Sequence, residues 1–319
     1  MIAIHRWPDV ISAVCTPMAG TAPRAVHLHV SRSLRWRLEL LRSRHPVLVD
    51  DFGHRPLRVR AANAVEHTRS LAMRDPSWGS EVHPFAGGWL VLAGLGMYIN
   101  QAMAAGIDDE LSQADLDLLL ERSRVIGVAP TIEVTSINLP QGVRRIREQG
   151  FVHDPMCDIA CLTRSVTPTA IDAPDDVVVR PIESEADSHL WQETSAIGWG
   201  HTTAEARKAS DAFAAAAHAL DNEHMVVALD PVDGRPVGCA SMTVRDKVAM
   251  LAGMSTIPVE RRRGVQAALI RYRLTEARRL GCDLAVTTAT RGSASERNLQ
   301  RHGFDPMTTI QRFSLSRTG

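Results

Sequence analysis

Met254-Ser255-Thr256-Ile257-Pro258-Val259-Glu260-Arg261-Arg262-Arg263-Gly264-Val265-Gln266-Ala267-Ala268-Leu269 is the stretch on which the reading of this chain turns. A strand is expected to end at Pro258, a short basic turn to follow, and a helix to begin. The first amides of a helix have no partner within it, and the helix dipole favours an anion beside them. Gly264 lets the backbone come close to whatever the turn holds, and the arginines add positive charge. Such a turn suits a pyrophosphate. It is not a Walker A loop, since no Gly-Lys-Ser/Thr follows, and it lacks the three-glycine spacing of a dinucleotide fingerprint.

Outward from this turn the chain alternates strands and helices. Before it come a strand at 177–182, helices at about 184–197 and 204–220, a hairpin turning at Asp233-Gly234, and a long strand from Val248. After it come a helix to about Leu280, a strand at 284–288 and a helix near 293–301 that ends at Gly303-Phe304. The first half has a similar order. A helix near 64–74 leads to the apolar strand 88–94. A helix at 112–125 follows, with Ser112 able to cap it and Asp115 three residues on. Next come a strand at 131–136, a short helix at 141–149 and Gly150-Phe151, with two more strands expected before Arg164. Gly127 and Gly281, Ile132 and Leu284, and Gly150 and Gly303 recur 152 to 154 residues apart, which suggests an internal duplication. The Pro-, Thr- and Asp-rich run 166–176 reads as a linker.

The quoted stretch resembles motif A of the GNAT superfamily of N-acetyltransferases, Arg/Gln-x-x-Gly-x-Gly/Ala. Arg261 and Gly264 match it. Gln266 departs from the usual Gly or Ala, with Ala267 next. Residues 293–298 before Gly303-Phe304 resemble the family's motif B. The resemblance implies an α+β fold of two tandem GNAT-like domains, each a twisted mixed sheet flanked by helices. The expected division is a basic lead-in at 1–60, a degenerate domain at 61–165 without the cofactor turn, the linker, and the acetyltransferase domain at 177–319.

The same resemblance implies acetyl-CoA as co-substrate. Its pyrophosphate would lie on the amides of Arg262, Arg263, Gly264, Val265, Gln266 and Ala267, with Arg261 beside it. Its pantetheine arm would pair with the strand edge near Met254, Ser255 and Thr256, and an N–H near Met254 or Thr256 would face the thioester oxygen. Asn298, then Ser295, are candidates for polar contact with the arm. Acetyl transfer to the amine of a small molecule is the implied activity. A CoA-binding pseudoenzyme or ligand sensor is the alternative, because the tyrosine that many relatives place a few residues after Gly-Phe is absent. Thr308 stands near that place but is a poor acid, and a bound water or the substrate itself could serve instead. His201, in the helical segment that usually walls the acceptor site, is the candidate base. Glu133 reads as a strand-surface carboxylate that could face a shared groove.

Composition agrees with a globular protein: 45% hydrophobic and 23% charged residues exclude a mostly disordered chain. The 36 basic residues balance 36 acidic ones, so a whole-chain hold on nucleic acid or membrane is not expected. All but Lys208 and Lys247 of the basic residues are arginines. The arginines of the first 60 residues, with a short amphipathic helix between Leu34 and Leu41, read as a lead-in, and a nucleic-acid arm is the sharper alternative. No apolar run reaches bilayer length and no secretory signal is read. Five dilute cysteines without zinc-ligand spacing point to core thiols, no metal and a reducing cytoplasm. A monomer or homodimer is expected.

Overall fold

The computed structural model describes residues 54–136, 142–167 and 177–315. The lead-in to residue 53, with the helix expected at 34–41, and the linker residues 168–176 lie outside the described residues. The first half comprises α1 (His54–Arg74), β1 (Glu81–Phe85), β2 (Gly88–Leu92), β3 (Gln101–Met103), α2 (Gln113–Ile126), β4 (Thr131–Val134), α3 (Gly142–Glu148), β5 (Val152–His153) and β6 (Ile159–Ser165). The second comprises β7 (Val178–Pro181), α4 (Glu185–Trp199), α5 (Ala204–His218), β8 (Glu223–Leu229), β9 (Pro236–Arg245) and β10 (Val248–Thr256), then α6 (Val265–Arg279), β11 (Leu284–Thr290), α7 (Ala294–Arg301) and β12 (Asp305–Ser314).

The strands form one continuous 12-stranded sheet in the order β1-β2-β3-β4-β12-β6-β11-β10-β9-β8-β7, with β5 beside β12. The order is nearly symmetric about the β12–β6 pair. On one side β3 and β4 are parallel and joined through α2; on the other β10 and β11 are parallel and joined through α6. A parallel pair needs such a crossover, and here it appears at matching places in the two halves. The pairs flanking them are antiparallel.

Two separate sheets were expected, and the difference lies in the last strand of each half. β6 belongs to the first half in sequence but stands between β11 and β12. β12 belongs to the second half but pairs with β4. The cores follow the exchange. Ala160 and Leu162 of β6 pack with Leu251, Leu274 and Phe304, whereas Phe313 of β12 packs with Leu116, Ile132, Ile146 and Phe151. Each half completes the other's apolar core, so burial couples them more strongly than a linker would.

The helix expected at 64–74 begins ten residues earlier, inside the stretch read as lead-in. Burial explains this. Leu57 and Val59 pack with Val248, Leu284 and Val286 of the second half, while Ala61, Ala64 and Leu71 pack with Val91 and Ala93 of the first and with Ala209 and Ala216 of α5. α1 is therefore clamped between both halves. Arg60 forms a bidentate ion pair with Glu133, and Arg312 lies 3.6 Å from the same carboxylate. Glu133 is buried, so it is a structural ion-pair partner and not a surface carboxylate. A buried carboxylate needs such partners.

Candidate functional site

β10 and β11 run together only from Val248–Leu284 to Leu251–Thr287. Beyond that point β11 continues against β6, while β10 continues to Thr256 against β9 alone. The register of β10 on β9 shifts between Ala252 and Ser255, and Gly253 sits there with φ +56°. This is a bulge at a fork, and bulges re-aim the backbone. The carbonyls at the fork are taken by side chains. Thr287 Oγ1 donates to the Leu251 carbonyl at 2.9 Å, and the Arg273 guanidinium donates to the Ala252 carbonyl at 3.1 Å. From Ala252 to Thr256 one edge of β10 is left without a strand partner.

At the end of that edge a 3-10 turn, Pro258–Glu260, leads through Arg261 to Gly264 and into α6. Gly264 has φ +76° and supplies no side-chain cap. Among the described residues the amides of Val265, Gln266 and Ala267 have no backbone carbonyl partner, and the first bond of the helix is Ala268 N–H to Gly264 O. Arg262 also has a left-handed backbone, φ +71°. Successive amides in such a turn form a concavity suited to an anion. The open strand edge thus leads directly to the open amides of the turn.

Residues 187–304 match the acetyltransferase (GNAT) family. The chain carries a GNAT acetyltransferase domain. The match runs from α4 to Gly303-Phe304 and so takes in the whole fork and turn. Its class of enzyme is the acyl-CoA-dependent N-acyltransferases. A GCN5-related N-acetyltransferase from Kribbella flavida superposes with a TM-score of 0.57 at 19% identity, over 81% of this chain and 96% of that one. A tandem GNAT protein from the clavulanic acid biosynthesis pathway, solved without AcCoA, gives 0.52 at 11% identity, over 84% and 95%. These likenesses extend the GNAT fold beyond the matched residues into the first half. No curated protein matches the chain.

Within the GNAT domain the residues read from sequence fall into place unevenly. Met254, Ser255 and Thr256 form the open end of β10. Ser255 is buried beneath the end of α4, where Gly198 comes close to it. Arg261 is exposed, with Nη2 3.4 Å from the Gly198 carbonyl. Arg263 is not free to meet a phosphate. Its guanidinium pairs with Asp230 at 2.8 Å and with Glu260, which also holds Arg235. These pairs hold the Glu260 carboxyl below its usual range, Arg235 most strongly, then Arg263. Arg263 thus ties the turn to the β8–β9 hairpin, and only its amide remains for a ligand.

Gln266, the departure from the motif, donates to the Ser295 hydroxyl at 3.1 Å and joins α6 to α7. Asn298 is half-buried, with no hydrogen bond to its side chain among the described residues. Thr308 stands apart from the fork. It lies on β12 opposite Cys161, its hydroxyl 3.2 Å from Ser136, and both β6 and β11 stand between it and β10. Strand exchange carries it away from the fork. His201 lies in the turn after α4; its Nδ1 is buried and makes no hydrogen bond among the described residues.

Arg273 was missed. It is 1% exposed and donates to the carbonyls of Leu269, Ser241 and Ala252, with Met254 Sδ 3.1 Å from Nη2. Burial pushes its pKa down to about 9. The signal was present: Arg273 stands four residues after Leu269 and four before Ala277, on the apolar stripe of α6. Thr287 gave no such signal, since threonine is ordinary in a strand. Among the described residues no group of His, Cys, Asp and Glu is arranged to hold a metal, and no helix is long and apolar enough to cross a membrane.

Proposed function

We propose that the second half transfers an acetyl group from acetyl-CoA to the amine of a small molecule, by direct attack. One observation carries the reading: β10 loses β11 at Leu251 and runs, bulged and open, to a helix whose first amides have no partners. The amides of Val265, Gln266 and Ala267 would hold the pyrophosphate, with Arg261 and Arg262 adding charge. The edge from Ala252 to Thr256 would pair with the arm, which carries the activated acyl group. Asn298 and the Gln266–Ser295 pair line the far side. Arg273 fixes the bulge from beneath, so that an N–H near Met254 can face the carbonyl oxygen of the acyl group. The alternative, a CoA-binding sensor without turnover, is favoured by Thr308, whose hydroxyl is bonded to Ser136 away from the fork.

The first half is proposed to bind no CoA and to wall the acceptor side through α1. Three of the cysteines are buried free thiols and Cys157 is an exposed one, which supports a reducing compartment such as the cytoplasm. Calorimetry with CoA, followed by thiol release from acetyl-CoA over a panel of amines, tests the reading. Binding of one CoA with amine-dependent release is expected. Binding without release by any amine would favour the sensor, and absence of binding would overturn both readings.

A further inference from the structure

Two arginines are buried among the described residues, and they are answered differently. Arg60 is paired with Glu133. Arg273 has no ion pair among the described residues, and Glu223 acts on it only at longer range. Its partners are carbonyls. Nε donates to Leu269 on its own helix at 3.0 Å, and Nη1 donates both to Ser241 of β9 at 2.8 Å and to Ala252 of β10 at 3.1 Å. Ser241 and Ala252 face each other just before the β9–β10 register shifts, so the guanidinium bridges the two strands where their ladder breaks. Burial leaves its pKa at about 9, and it is cationic at neutral pH. An unpaired buried charge is costly. A neutral amide could bond the same carbonyls without that cost, so the charge calls for a partner that is negative only during a reaction.

The bonds of Arg273 also fix the direction of one N–H. In a trans peptide the C=O and N–H point to opposite sides, and no peptide among the described residues is cis. The Ala252 carbonyl turns toward β9, where it shares Nη1 with Ser241. The N–H of the same peptide, that of Gly253, therefore turns to the other side. There the ladder with β11 has already ended at Leu251–Thr287. The preceding carbonyl, Leu251, faces β11 and accepts from Thr287 Oγ1, as the alternation along a strand requires. The Gly253 N–H is thus the first donor of β10 to enter the fork past its last pairing with β11.

We propose that Arg273 is a positioning residue for acyl transfer: it turns the Gly253 N–H into the fork as the donor to the acyl oxygen, and it sets a positive charge behind that peptide. This rests on the acyl-transfer reading. The lone pair of a neutral amine forms the C–N bond at the acyl carbon, and the carbonyl π pair moves to oxygen. That pair returns as the C–S bond breaks with its electrons on sulfur, and one nitrogen proton passes to the sulfur, giving an amide and a thiol. The negative charge lives on the acyl oxygen between these steps. The Gly253 N–H meets it directly, and the guanidinium, bonded to the carbonyl of the same peptide, polarises that N–H toward it. Arg273 itself touches neither substrate.

Two measurements test this. Single-turnover thiol release from acetyl-CoA is followed with the fastest of spermidine, tyramine and kanamycin. Arg273→Met is expected to slow the chemical step by about a hundredfold, with CoA affinity changed by less than about threefold. Arg273→Lys, which keeps a charged donor, should return to within about tenfold of the wild-type rate. Equal losses in both variants, a rate that falls only in proportion to CoA affinity, or no loss would overturn the proposal. The second measurement needs no variant and so stands even where Arg273→Met does not fold. Glycine-selective nitrogen spectra of the wild-type protein are compared with CoA and with acetyl-CoA. Gly264 should respond alike to both, since both carry the pyrophosphate. Gly253 should shift further with acetyl-CoA, which alone carries the acyl oxygen. A Gly253 resonance blind to the acetyl group, with Gly264 responding, would overturn the proposal and leave the CoA site standing. Silence at both glycines, or CoA binding without acylation of any of the amines, would overturn the acyl-transfer reading itself.

Discussion

α2 and α6 occupy matching places in the two halves, each crossing from one parallel strand to the next, yet their first turns are opposite in chemistry. α2 begins with a complete capping box: Asp115 N–H donates to the Ser112 hydroxyl at 3.1 Å, and Ser112 N–H donates back to Asp115 at 2.9 Å. The other oxygen of Asp115 accepts from Ala86 N–H at 3.2 Å, and Asp108, Asp109 and Glu110 precede it. α6 begins with an uncapped glycine and three arginines. The first helix answers its own amides with its own carboxylate; the second leaves them open. A cap contributes about 1 kcal/mol to a helix, so an open start is a small loss of stability that a bound anion offsets. The strand order is alike in the two halves, but only the second leaves the first amides of its crossover helix uncapped.

The comparison breaks most sharply if α6 is made to resemble α2. Arg261→Glu with Gly264→Asp places carboxylate where phosphate is proposed, and CoA affinity should fall by about a thousandfold or more, roughly 4 kcal/mol. Because nothing lies within 4 Å of a Cβ at Gly264, the fold should survive with only the strain of a left-handed aspartate. Unchanged affinity by calorimetry would show that the turn is not the CoA site.

The reverse change is smaller. Ser112→Ala with Asp115→Ala should lower stability by about 1–2 kcal/mol in urea titration and leave CoA stoichiometry at one per chain. A second bound equivalent would mean that the capping box alone kept the first half from binding.

Acid should distinguish the anchoring of the open turn. The Asp230 carboxyl is held low chiefly by the Val232 amide and Arg263, and Glu260 by Arg235 and Arg263. Carboxylates with lowered folded pKa contribute fully above their unfolded pKa, near pH 4, and lose that contribution as pH falls through the folded value. Melting temperature from this source should hold from neutral pH down to about pH 4 and fall below it. In Arg235→Met the carboxyl of Glu260 loses its strongest partner, so its folded value rises toward the unfolded one and the fall should be smaller and end at higher pH.

The smallest effect is expected at Gln266. Its side chain bridges to Ser295 and does not point at the turn, so Gln266→Ala should weaken CoA binding by only a few-fold, about one modest hydrogen bond. A hundredfold loss would assign the Gln266 side chain to the ligand directly.

The glycine turn, the helix behind it and the capping box were legible because each is a local device: Gly264 and Ser112 act within one helical turn of where they stand. The matching strand order of the two halves had a sequence counterpart in the recurrence of landmarks. Arg273 was half-legible, a charge on an apolar stripe with no way to know what it met. The surroundings of Thr308 were not legible, because Cys161 and Ser136, which it meets, lie far away in the chain.

By itself the sequence determined the alternation of strands and helices, the open start of α6 and the closed start of α2, since all of these depend on side chains reaching a few residues along the backbone. Tertiary structure alone decided the exchange of β6 and β12, the fork at Leu251 and the clamping of α1 between the halves. Strand pairing and core burial join residues a hundred or more positions apart, and their partners are chosen by which apolar faces can be buried together. No local pattern carries that information, so the surroundings of the site became visible only once the chain was folded.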